Sequence, residues 1–77
     1  MCKDQLEILK RDIGLEVYKI RQENGYSRQE FADMVGISLN SLASIENGDT
    51  MVKIGTLFQI TNTLSLSMSS FFENINY

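Results

Sequence analysis

The sequence predicts an all-α domain, a compact bundle of about five short helices. Three observations predict it. Proline is absent from all 77 residues, which removes the principal helix breaker. Of the glycines at 14, 25, 36, 48 and 55, the first four fall about 11 residues apart, close to the length of an ordinary short helix. Between them, apolar residues recur at three- and four-residue steps.

The first helical stretch carries Leu6, Leu9, Ile13, Val17 and Ile20 on one face and ends at Asn24-Gly25. Two forms are open at its start. Either one long helix covers roughly residues 4–24, or a short arm precedes a helix capped by Asp12, with Gly14 as the interruption. A second helix is signalled by Ser27-Arg28-Gln29-Glu30, a capping box flanked by Tyr26 and Phe31 at the positions of a hydrophobic staple. It runs to about Val35 and stops at Gly36. Ser38 caps a third helix over 39–47, with Leu42 and Ile45 facing inward. After the loop Asp49–Lys53, residues Ile54, Leu57, Phe58, Ile60, Thr61 and Leu64 define a fourth helix. Ser65-Leu66-Ser67 breaks it, and Met68, Phe71, Phe72 and Ile75 form a short fifth helix or a hooked tail.

Composition narrows the function. At 77 residues the chain holds one domain at most, and 43% apolar content fits a packed core. No histidine is present, and Cys2 is the single cysteine, so disulfides within the chain, Cys–His metal sites and His-based acid–base catalysis are not expected. Cys2 reads as a passive terminal residue. No phosphate-cradling glycine loop occurs. We expect no enzyme, no metal, no cofactor and no small-molecule ligand. Apolar runs fall short of a membrane span, and the N-terminus lacks a signal-peptide core, so a cytoplasmic protein is expected. The net charge of −3 counts against a nucleic-acid partner, and no basic stripe is present.

The constellation that carries function lies at 27–48. It is a helix, a Gly-Ile-Ser turn and a second helix, with the small residue Ala32 where the two press together. This is the shape of a helix-turn-helix, whose second helix enters the major groove. The stretch from Ile13 to Phe72 resembles the phage Cro and lambda-repressor (XRE-like) helix-turn-helix family. Its most characteristic pieces are the Ser27 to Ala32 cap, Val35-Gly36-Ile37-Ser38 and Ile45-Glu46-Asn47-Gly48. The resemblance implies a lambda-repressor-like domain of five helices that binds a double-stranded operator as a homodimer and regulates transcription. Within that family, phage repressors and restriction–modification controller proteins both fit the length. Residues 1–12 then form an N-terminal arm or helix extension, and 13–77 the DNA-binding domain.

The resemblance also implies that Arg21 meets Glu46. It places Asn47, Thr50 and Lys53 along the phosphate backbone. Arg28 stands where family members commonly carry Gln, and with Gln29 it sits at the groove edge as a phosphate or base contact. On the outward face of the third helix, Leu39, Asn40, Ser41, Ala43 and Ser44 are the base-reading set, Asn40 foremost because its amide bonds adenine in a bidentate way. Each polar member also has an ordinary reading as a solvated or capping residue. Without Arg or Lys on that face, the site should lean toward A·T, and with few cations the salt dependence should be shallow.

The C-terminal apolar residues Met68, Phe71, Phe72, Ile75 and Tyr77 exceed what a short helix needs. Packing onto the core accounts for some of them, and the rest are the candidate twofold contact, with Leu6, Ile8 and Leu9 as the competitor. A protein-interaction module or antirepressor on the same fold, with DNA binding weakened or lost, is the alternative function.

Overall fold

Helix α1 runs without a break from Lys3 to Glu23, followed by α2 (Arg28–Val35), α3 (Leu39–Glu46), α4 (Ile54–Thr63) and α5 (Met68–Asn74). The computed structural model describes residues 3–75, with no strand among them. Cys2 and Tyr77 lie outside the described residues. No helix in the described chain is long and apolar enough to cross a membrane.

The long α1 is the first of the two forms left open above. Asp12 lies inside the helix, not at its start. Gly14 does not interrupt it. It is buried against the backbone of α3, where a Cβ would overlap the Ile45 carbonyl oxygen and sit 2.9 Å from that of Glu46. The glycine lets two helix backbones touch, and this close approach sets where α3 lies on α1.

The second start signal is realised in full. Ser27 Oγ accepts from the Glu30 N–H at 3.1 Å, and the Glu30 carboxylate accepts from the Ser27 N–H at 2.8 Å. That backbone bond holds the Glu30 carboxyl below the usual carboxylate range. Tyr26 stacks on Phe31 with ring centroids 6.0 Å apart, closing the staple. Gly36 ends α2 at φ 88°, a left-handed conformation that costs glycine little. Ser38 then caps α3 by accepting from the Ser41 N–H.

These helices enclose one core. Ile13, Val17 and Ile20 of α1 meet Phe31, Ala32 and Val35 of α2, Leu42 and Ile45 of α3, Leu57 and Ile60 of α4, and Phe71 of α5. Leu9 packs at the edge. Leu6 shares the stripe but is exposed, because α1 begins beyond the body of the bundle.

Phe71 is 0% exposed, buried within its own chain. It has no surface to give a partner, which corrects its assignment to a dimer contact. Met68, Phe72 and Ile75 are also packed against the core and only partly exposed. The apolar excess at the C-terminus is largely consumed by the chain itself.

Candidate nucleic-acid interface

The inner face of α3 is fixed by Leu42 and Ile45, which leaves Leu39, Asn40 and Ser41 exposed and Ala43 and Ser44 half-buried. A groove of about 410 Å³ runs beside this face. Asn40, Ser41 and Ser44 line one wall, and Thr50, Met51, Lys53 and Thr56 contribute the other. Three of the α3 residues singled out from the sequence therefore share one concavity with Lys53. Leu39 and Asn47 are exposed but do not line it.

Sequence reasoning missed Met51 and Thr56, which also line the groove. The signal available was position alone: Thr56 falls in the first turn of α4, directly after the loop that carries Lys53. Lys53 is the N-cap of α4 by backbone geometry, and its side chain makes no capping bond. Lys53 and Thr56, at the start of α4, thus line the same groove, and a cation beside a helix N-terminus suits an anion.

The polar groups of α3 are held but not exhausted. The Ser38 hydroxyl donates to Ser41 Oγ at 2.9 Å, which leaves the Ser41 O–H as a donor for a ligand. The outer wall contributed by α3 carries no charge, so it offers hydrogen bonds and apolar contact rather than ion pairing.

Behind α3 lies a charged centre. Glu46 is buried at the C-terminal end of α3. Arg21, also buried, donates from Nε to Oε2 at 2.7 Å and from Nη2 to Oε1 at 3.1 Å. Its Nη1 donates to the Tyr26 carbonyl at 2.9 Å, and its guanidinium lies 5.4 Å from the Tyr18 ring centroid. The hydrogen bond to Glu46 raises the Arg21 pKa, against the opposing effect of burial. The bidentate geometry joins α1, α3 and the α1–α2 turn.

Arg28 enters this centre as well. Its Nε donates to Glu46 Oε1 at 3.2 Å while its side chain stays 44% exposed. Gln29 donates to Asp33 along the exposed surface of α2, away from the groove lining. The acids of the 27–48 segment are thus each engaged. Glu46 faces two arginines, Glu30 closes the capping box and Asp33 accepts from Gln29. The unfavourable charge of the segment is turned inward or along α2 rather than into the groove. Among the described residues, no group of three or more acidic or cysteine side chains is arranged to hold a metal ion.

The chain is similar to known proteins in sequence and in fold. A helix-turn-helix family model, HTH_3, matches residues 17–71. An uncharacterized HTH-type transcriptional regulator of Rickettsia conorii is 29% identical over 63 residues, 82% of this chain and 50% of the relative. Antitoxin HipB of Escherichia coli K12 is 34% identical over 50 residues, covering 65% of this chain and 57% of that protein. This chain thus spans about half the length of the Rickettsia relative. Among solved structures, an HTH_3 family transcriptional regulator from Vibrio cholerae superposes with a TM-score of 0.82 at 32% identity, over 90% of this chain and 39% of that one. The wild-type restriction–modification controller protein C.Esp1396I superposes with a TM-score of 0.79 at 25% identity, over 87% of each chain. With its capped α2, glycine turn and α3 matched within residues 17–71, this chain belongs to the HTH_3 helix-turn-helix family.

Proposed function

We propose that this protein is a sequence-specific DNA-binding transcriptional regulator, a dimeric repressor that reads the major groove of its operator with α3. The observation that carries the reading is the groove beside α3, where Asn40, Ser41 and Ser44 face Lys53 and the open first turn of α4. Asn40 is the base-reading residue, as its amide presents a donor and an acceptor to adenine. Ser41 and Ser44 support it. Lys53, Asn47 and the N–H groups of α4 meet phosphates. Arg28 reaches a phosphate from the edge of α2 while one nitrogen stays with Glu46, and Gln29 and Leu39 flank the contact. The repressor acts in the cytoplasm, without catalysis, cofactor, membrane or small-molecule effector.

Selection of random duplexes by the purified protein tests this reading. An A·T-leaning consensus is expected, because the α3 residues contain no Arg or Lys to bind guanine in a bidentate way. A G·C-rich consensus would contradict the assignment of α3 as the reader.

One observation favours a second reading. The net charge of −3, with Lys53 as the sole charged residue lining the groove among the described residues, suits a protein-interaction module or antirepressor. Failure to enrich any duplex at low salt would select that alternative.

A further inference from the structure

The groove beside α3 holds an apolar side chain to which the operator reading gives no role. The chain leaves α3 in a tight reversal. Gly48 takes φ 74°, its N–H donates to the Ile45 carbonyl at 3.1 Å, and the Asp49 N–H donates to the Ser44 carbonyl at 2.9 Å. This is a Schellman motif, and it ties the start of the loop to the last turn of α3. At the far end Val52 packs against the core and Lys53 leads into α4. Met51, the residue before that anchor, is left 40% exposed on the groove wall. Its apolar neighbours differ: Ile45 is buried, and Ile37 and Val52 are half-buried. Among the described residues that line the groove, Met51 is the exposed apolar one, and Asn40, Ser41, Thr50 and Lys53 are exposed beside it. A lone exposed methionine is ordinary. Here it stands in a concavity whose other exposed members bond through nitrogen and oxygen.

We propose that Met51 is a specificity-determining residue, one that receives the C5 methyl group of an operator thymine. The inference rests on the assignment of this groove to the operator. In the major groove the base pairs differ in their donors and acceptors and in one apolar feature, the thymine methyl. A pair whose adenine bonds Asn40 carries that methyl on the opposite strand. Lys53, two residues beyond Met51, is the phosphate contact of the same reading. The two walls of the groove then match an A·T pair in two ways, by an amide on the α3 side and a thioether on the loop side.

The chemistry of the side chain fits the task. Methionine is unbranched and polarizable, so it adapts to an irregular apolar surface. Hydrogen bonds from Asn40 to adenine are the same whether the opposite base carries a methyl group or not. Met51 supplies the discrimination that those bonds lack. The other outward apolar residues of α3 are placed less well for it. Leu39 is exposed and Ala43 half-buried, and neither lines the groove.

The test uses the full chain and the duplex that wild type selects from a random pool. Each thymine is replaced in turn by deoxyuridine, which removes the methyl group and keeps the base pair. At one thymine position wild type should lose about 3- to 5-fold in affinity, the worth of burying one methyl group. Met51→Gln, close in length but polar at its end, should bind the thymine duplex about 3- to 5-fold more weakly and be indifferent to deoxyuridine at that position. Met51→Leu should keep the preference for thymine. Both variants should melt like wild type, since the side chain stands partly in solvent. A selected duplex in which no deoxyuridine costs wild type affinity would overturn the proposal while leaving α3 as the reader. A thymine preference that persists in Met51→Gln would overturn it too, and would assign the methyl contact to Leu39 or Ala43. If wild type enriches no duplex at low salt, the operator reading itself fails, and this proposal with it.

Discussion

Replacing Glu46 by Ala should destabilise the protein by about 3–5 kcal/mol, the typical cost of stranding one partner of a buried ion pair. The guanidinium of Arg21 would lose both of its bonds to the carboxylate while remaining buried between α1 and α3. Arg28 would lose the same partner, at smaller cost because it is half in solvent. A domain of this size holds roughly 5–15 kcal/mol in total. The melting temperature should therefore fall by at least about 12 °C. Replacing the pair together, Arg21→Met with Glu46→Leu, should recover most of the loss, because no uncompensated charge is then left inside. A fall of less than about 1 kcal/mol for Glu46→Ala, measured by urea denaturation, would show that the centre is more open to water than its geometry indicates.

Gly14→Ala should also be severe, with the sign opposite to helix propensity. In a solvent-facing helix interior, alanine gains about 1 kcal/mol over glycine. At Gly14 the added methyl would overlap the Ile45 carbonyl oxygen and crowd that of Glu46, both backbone atoms with no rotamer to change. Relief requires α1 and α3 to separate, which also pulls Arg21 from Glu46. We expect a loss of about 3 kcal/mol or more, at the upper end of overpacking effects. Gly55→Ala is the matched control. It lies in α4 with nothing within 4 Å of its Cβ position, and should be neutral or slightly stabilising. If Gly14→Ala melts at or above wild type, the close contact of α1 with α3 is wrong.

The sequence reveals most where a structural decision is local. Ser27, Glu30, Gly36 and Ser38 act within four residues of themselves, so α2, its turn and the start of α3 can be read from their order. Gly14 shows the opposite case. Inside an apolar helical pattern it looks like a break, yet its reason lies more than 30 residues away, in the backbone at Ile45 and Glu46. The bond between Arg28 and Glu46 spans 18 residues and carries no local signal. Phe71 is a matter of apportionment. Composition shows an excess of apolar side chains at the C-terminus, but only the fold decides which are spent on the chain's own core. The same limit applies to the interface. Asn40, Ser41 and Ser44 follow from helical periodicity, while Met51 and Thr56 reach the groove through the path of a loop that periodicity does not describe.

The central claim is that the outer face of α3 reads DNA bases, and Asn40 tests it most directly. The side chain is exposed and lines the groove, so its removal should not disturb the fold. Affinities of wild type and Asn40→Ala should be compared on the duplex selected by wild type and on an unrelated duplex, at one fixed salt concentration. Asn40→Ala should lose about 5- to 150-fold on the selected duplex, the worth of one bidentate base contact. Binding to the unrelated duplex and the melting temperature should stay unchanged. Equal affinity of the two proteins for the selected duplex would contradict it.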